Sequence, residues 1–386
     1  MSQIYLDYMA TTPVDLRVAE VMSQCLTLQG YFGNPASNTH RVGYAAKQKV
    51  EHAREQVAAL INASPKEIVW TSGATESDNL ALKGAVAAYH RKGKHIITMA
   101  TEHKAVLDTC QFLASEGYEI TYLKPERDGL LDLAKLETAL RADTLLVSIM
   151  HVNNETGVIQ DLAAIAELVK SKGALLHTDA AQSNGKLKID VQQLPIDMIS
   201  LCAHKVYGPK GIGALYVRAQ PQIRLEPMIH GGKHERGMRS GTLATHQLVG
   251  MGEAFELAAQ EMSAGWQHAE ILSQQLMGML ANTDALLSSY DAPRVPHCHN
   301  LIFPGIRSEA LMMACPELAF SSGSACNSAT PKPSHVLTAM GLSVEQADCA
   351  VRISTGRFTT ADDIMRAGER LVTAWQRLKK IIGSTL

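Results

Sequence analysis

From residue 67 to residue 217, short apolar runs alternate with stretches whose apolar positions recur every three or four residues. The short runs fall at residues 67–71, 95–99, 120–123, 145–150, 174–177, 198–202 and 213–217. Their apolar content predicts strands buried on both faces, and the alternation predicts a mostly parallel sheet with helical crossovers. In one crossover Leu162, Ile165, Leu168 and Val169 form a stripe, with Asp161 placed to cap its start and Gly173 to end it. Ahead of the sheet, Val50, Ala53, Val57, Leu60 and Ile61 predict a helix over 45–61, and long helices are predicted over 249–277. Beyond residue 277 come a strand-like stretch at 300–303, a Gly/Ser-rich loop around Cys326 and an amphipathic C-terminal helix. The expected fold class is α/β, with a three-layer α/β/α large domain over residues 15–258. A smaller α+β domain over 259–386 is expected to carry the Cys326 loop, with residues 1–14 packed against it.

Composition narrows the partners more than the fold. The 386 residues are 46% hydrophobic, enough for a large core, and a formal net charge of −2 predicts neither a nucleic-acid nor a membrane surface. The seven cysteines lack CxxC pairing, so neither a disulfide framework nor a zinc ribbon is expected, and a reducing cytoplasm fits best. The N-terminus has no basic start followed by an apolar core, and no stretch approaches eighteen uninterrupted apolar residues. Neither a signal peptide nor a membrane span is expected.

Candidate chemistry sits where predicted strands end. TSGATE, starting at Thr71, follows a strand and opens a helix, where free backbone N–H groups attract anions and Thr75 adds a hydroxyl. Alone, that pattern describes a capped helix start equally well. The strand ends at HTDAAQ and SLCAHKVYGPKG place Asp179, Gln182, His204 and Lys205 toward the same sheet edge, the usual ligand site of an open α/β sheet. A lysine among polar groups can form a Schiff base with an aldehyde cofactor. A carboxylate beside a pyridine nitrogen makes that cofactor an electron sink. Singly, Asp179 reads as a helix cap and Lys205 as a surface lysine. The glycine spacing after Lys205 is wrong for a dinucleotide fingerprint.

These segments belong to a longer series: YLDYMATTPVD at Tyr5, GNPAS at Gly33, TSGATESDN at Thr71, TEHKAV at Thr101 and HVNNETG at His151. It continues with DAAQ at Asp179, HKVYGPKGIGALYVR at His204, HGGKHERGMRSGT at His230, SSGSAC at Ser321 and RISTGRFT at Arg352. The chain closely resembles the cysteine desulfurases of the NifS/IscS type, in the class V aminotransferase family of fold type I pyridoxal-phosphate enzymes. The resemblance implies that Lys205 holds pyridoxal 5'-phosphate, Asp179 pairs with its ring nitrogen, Gln182 meets its ring hydroxyl and His103 stacks on its face. It assigns the phosphate to Ala74, Thr75, Cys202, His204 and a second subunit's Thr242, and the substrate carboxylate to Asn154 and Arg352. It also implies a homodimer that takes sulfur from L-cysteine, leaves L-alanine, and passes the sulfur to an iron–sulfur scaffold or a tRNA-thiolation relay.

Cys326 lies among small and polar residues that cannot build a core, so it is the expected nucleophile, with Lys205 moving the substrate's α-proton and His103 the acid/base for the thiols. The other six cysteines are read as small buried hydrophobes. Position 202 departs from the family pattern: cysteine replaces a phosphate-binding serine, and a thiol is the weaker donor. Lys233 is also unusual, and Arg357 is read as structural. Ending at Leu386, the chain is shorter than the housekeeping relatives, whose longer tail docks the scaffold. Successive residues alternate faces on a strand, so His297, Cys298 and His299 cannot all ligate one metal. An aminotransferase or selenocysteine lyase is the rival enzyme reading, and an inactive cofactor-binding scaffold the rival of another class.

Overall fold

The computed structural model describes residues 3–289, 291–322 and 333–383. The chain opens with β1 (Ile4–Tyr5), α1 (Leu16–Ser23) and α2 (Arg41–Leu60). It then alternates through β2 (Ile68–Thr71), α3 (Ala74–Ala88), β3 (His95–Met99), α4 (Lys104–Ser115), β4 (Glu119–Leu123), α5 (Leu133–Ala139), β5 (Thr144–Ser148) and α6 (Leu162–Ser171). Three further strands, β6 (Leu175–Asp179), β7 (Met198–Cys202) and β8 (Gly213–Val217), complete the large sheet, whose order is β2-β8-β7-β6-β5-β3-β4. The strands from β7 across to β4 run parallel, while β8 is antiparallel to both of its neighbours. Because β8 is reversed twice, β2 points the same way as β7. The carboxyl ends of β2, β3, β5, β6 and β7 therefore share one edge.

Apolar runs buried on both faces explain the strands. Ile97, Met99, Val147, Leu176, Ile199 and Leu201 enter one core layer, while Val69, Ile96, Leu146, Leu175, Met198 and Leu215 enter the layer on the opposite face. Both layers are shielded by helices, α2 and α6 contributing to the first and α3 and α4 to the second. In α6 the expected cap is present: Asp161 Oδ1 accepts from the N–H groups of Ala163 and Ala164 at 3.1 Å, worth about 1 kcal/mol.

The long helices expected over 249–277 are one unbroken helix, α7 (Thr245–Leu280). Leu248, Met251 and Phe255 in its first half join the core of the large sheet, and Leu272, Leu276 and Leu280 in its second half join another core. This second core lies around β9 (Leu286–Leu287), β10 (Cys298–Ile302), α8 (Ser308–Ala314), β11 (Leu318–Ala319), β12 (Ser321–Ser322), β13 (Ala350–Ser354) and α11 (Ala361–Gly383), while α9 (His335–Ala339) and α10 (Val344–Asp348) bury Val336, Leu337 and Ala347 in a small cluster of their own with Ile302 and Ala350. Here β12, β13, β10 and β9 form an antiparallel sheet, while β1 pairs in parallel with β11, bringing Ile4 and Leu6 into the same core. Among the described residues, no helix is long and apolar enough to cross a membrane.

Candidate active site

The shared strand edge borders a cavity of about 490 Å³. Its lining includes Ala74 and Thr75 after β2, His103 after β3, Asn154 after β5, Asp179 and Gln182 at and beyond the end of β6, and Cys202, His204 and Lys205 at and beyond the end of β7. Arg352 reaches it from β13. Sheet order, rather than sequence distance, is what gathers them.

At one wall α3 follows Gly73, an N-cap residue with no side chain to cap the first turn. The open N–H groups and helix dipole make an anion cradle. Its position is fixed by a close approach: a Cβ at Gly213 would lie 2.7 Å from Gly73 Cα. His204 closes this wall, its Nδ1 3.1 Å from Thr11 Oγ1. Burial pushes its imidazole down to about 4, with Lys205 adding to the shift.

The buried Asp179 accepts from the Ala181 N–H at 2.8 Å. Behind it Asp78 and Glu102 are wholly buried, and desolvation raises both far above the usual carboxylate range, with Asp179 adding to the shift. The same burial disfavours negative charge on both acids beside Asp179.

His103 is the N-cap of α4, and its Nδ1 accepts from the Ala105 N–H at 3.1 Å. A nitrogen that accepts cannot also carry a proton, so the neutral ring has its hydrogen on Nε2. Burial lowers the pKa of His103, opposed by Asp179 and reinforced by Lys205.

Arg352 is 1% exposed. Its Nη1 donates to Asn154 O at 2.7 Å and its Nη2 to Asp7 Oδ1 at 2.8 Å, while Nε has no partner among the described residues. The two residues proposed for a substrate carboxylate are thus joined directly.

Cys202 is buried and lines the cavity. Its thiol is pushed up to about 11 by burial, opposed by Lys205, and lies 4.0 Å from Ala181 O. Thr242 is exposed and stands outside the cavity of its own chain. Cys326 lies outside the described residues. The other six cysteines are buried. Arg357 pairs with Asp15 at 2.6 Å and Glu261 at 2.9 Å and stacks on Tyr207, a structural set of contacts. His299 meets Ser273 Oγ at 2.7 Å, and the Cys298 thiol faces Glu155 O at 3.6 Å. His297 lines a second cavity, so the three neighbours part company.

Sequence reasoning missed Asp7, Met9 and Lys186. No local signal relates Asp7 to Arg352, whereas the spacing of Lys186, four residues after Gln182, was available in the turn that follows β6.

This sheet, with a lysine, an acid and an open helix start around one cavity, is the class V aminotransferase arrangement, and the family model for aminotransferase class V matches residues 4–366. Cysteine desulfurase IscS of Vibrio vulnificus (strain CMCP6) is 58% identical over 377 residues, covering 97% of this chain and 93% of the relative. The IscS of Pseudomonas entomophila (strain L48) is 56% identical over 379 residues, covering 98% and 94%. Among solved structures, a NifS-like protein superposes with a TM-score of 0.89 at 36% identity, covering 98% of this chain and 99% of that one. SspA in complex with cysteine gives 0.82 at 39% identity, covering 92% and 99%. The chain belongs to the class V aminotransferase family and, within it, to the cysteine desulfurases of the NifS/IscS type.

Proposed function

We propose that the cavity holds pyridoxal 5'-phosphate on Lys205 and that the enzyme converts L-cysteine to L-alanine, leaving the sulfur as a persulfide on Cys326. The observation that carries this reading is the convergence of Lys205, Asp179, Gln182, His103 and Arg352 on one cavity beside an uncapped helix start. The donor set suits the cofactor: an amine for its aldehyde, a carboxylate for its ring nitrogen, an amide for its hydroxyl and an anion cradle for its phosphate. Ala74, Thr75, Cys202 and His204 would hold the phosphate with the partner subunit's Thr242, which makes the functional unit a homodimer. When bound, the cofactor supplies an electron sink for the substrate's α-carbon.

The chain's own residues do the rest. Arg352 and Asn154 fix the substrate carboxylate and so aim the α-hydrogen at Lys205, whose amine takes it. His103, with its hydrogen on Nε2, presents a donor to the sulfur. The Cys326 thiolate attacks that sulfur; the new S–S bond forms as the C–S bond breaks, the C–S electron pair stays with the β-carbon and takes up the proton that the Cys326 thiol gave up, and Lys205 returns the α-proton, so the fragment leaves as alanine. The persulfide then passes to an acceptor protein, an iron–sulfur scaffold or a tRNA-thiolation relay, in the cytoplasm. On this reading residues 15–258 carry the cofactor and residues 259–386, with 1–14, carry the nucleophile.

The test is turnover of L-cysteine by the purified protein with pyridoxal phosphate and a thiol reductant, for the native chain and Cys326→Ala. Alanine and sulfide released by the native protein but not the variant supports the reading. Equal release by both removes Cys326 from it.

A further inference from the structure

Lys205 borders two cavities, the one described above and a second of about 300 Å³. Lys186 lines the second cavity with Lys205 and the buried His297, while Gln182 lines the first. The turn after β6 places Lys186 four residues beyond Gln182, and its Nζ donates to Gln182 Oε1 at 3.4 Å. At the other end of the same amide, Gln182 Nε2 donates to Met9 O at 2.9 Å.

These contacts leave one chemically sensible orientation for the amide. An ammonium has only donors and a backbone carbonyl only accepts, so a flipped Gln182 would set like against like at both ends. The second Nε2 hydrogen is the one left for the cavity, where a phenolic oxygen is its natural partner. Gln182 is 3% exposed, so a lost partner would not be replaced freely by water.

We propose that Lys186 is a positioning residue, orienting the Gln182 amide toward the cofactor's ring hydroxyl and setting a second cation beside Lys205. The proposal rests on the roles of Gln182 and Lys205 given under the proposed function. Burial lowers the Lys186 ammonium to about 8, with Lys205 adding to the shift, as expected for two cations sharing one wall. The consequence has a definite sign. A cation next to Lys205 penalises a second positive charge there, so it lowers the pH at which the cofactor's bond to Lys205 loses its proton.

The experiment reads that midpoint from the visible absorbance of the holoprotein across pH, with cofactor affinity measured in parallel. Lys186→Met is expected to raise the midpoint by about one pH unit and to weaken pyridoxal phosphate binding roughly three- to tenfold. Lys186→Arg keeps the cation and is expected to restore the native midpoint. Because the affinity effect acts through the amide, Lys186→Met combined with Gln182→Leu is expected to bind no more weakly than Gln182→Leu alone. A native midpoint in Lys186→Met while Gln182→Leu shifts it, or affinity losses that simply add, overturns the proposal. Failure of the native protein to bind pyridoxal phosphate at Lys205 instead overturns the reading of the site, and with it this one.

Discussion

Arg352 Nη2 donates to Asp7 Oδ1 at 2.8 Å, joining β13 to the N-terminal segment across 345 positions of sequence. Of the five guanidinium hydrogens, Asp7 and Asn154 O engage one each, Nη2 also donates to Ser321 Oγ at 3.5 Å, and Nε faces no partner among the described residues. The fork is held at two corners with donors left over, which suits capture of a carboxylate. Arg352→Lys keeps the charge but loses the fork, so kcat/KM for L-cysteine is expected to fall about a hundredfold. Asp7→Asn keeps an acceptor for Nη2 and is expected to cost less than tenfold. Steady-state kinetics decide it, and an Arg352→Lys enzyme within threefold of native would remove Arg352 from carboxylate binding.

Cys202 offers a gain-of-affinity prediction. Its thiol lines the cavity wall where the phosphate is proposed to sit, held 4.0 Å from Ala181 O. A hydroxyl there is a stronger donor in almost the same volume. Cys202→Ser is expected to slow loss of pyridoxal phosphate on dialysis three- to tenfold, roughly one ordinary hydrogen bond. Unchanged or faster loss would mean that Cys202 makes no phosphate contact.

The large sheet was legible because strands buried on both faces are nearly continuous apolar runs, and because Asp161 and Gly173 punctuate their crossover helix by known rules. The two-residue strands β1, β9, β11 and β12 were not, since two residues carry no period. The single α7 was readable in principle, as no proline interrupts residues 245–280. Asp179, Gln182, His204 and Lys205 were legible because each ends or follows a recognisable strand. Asp7 was not, because its partner is fixed only by the pairing of β1 with β11 and the bridge from Asp7 to Ser354.

Burial of His299 makes stability depend on pH. Its Nε2 meets Ser273 Oγ at 2.7 Å, and burial lowers its imidazole to about 3, against 6.5 when unfolded. The folded state keeps the ring neutral while the unfolded chain protonates it. The neutral ring's contribution is therefore whole above pH 6.5 and is lost as pH falls from there toward 3. Between pH 6 and 5 the native protein is expected to lose up to about 1.4 kcal/mol more than His299→Gln. Urea unfolding of both proteins at those two pH values measures it, and parallel losses would show that folding leaves the His299 pKa unchanged.

Glu155 acts with the opposite sign. It is 4% exposed, and burial raises its carboxyl to about 7, although the Ser334 hydroxyl donates to it and Arg352 and Lys104 draw it down. The folded protein thus holds a proton that the unfolded chain releases near 4.5. This contribution is whole below pH 4.5 and is lost as pH rises through 7. Relative to Glu155→Gln, which cannot ionise, the native protein is expected to lose roughly 2 kcal/mol between pH 5 and 7. Ser334→Ala removes the hydrogen bond that favours the carboxylate, so its loss is expected to continue to higher pH. Urea midpoints at pH 5, 6, 7 and 8 for the three proteins separate these cases, and native and Glu155→Gln curves running parallel would refute the raised pKa. Between pH 4.5 and 6.5 the two windows overlap with opposite sign, so removing either residue is expected to expose the slope of the other there.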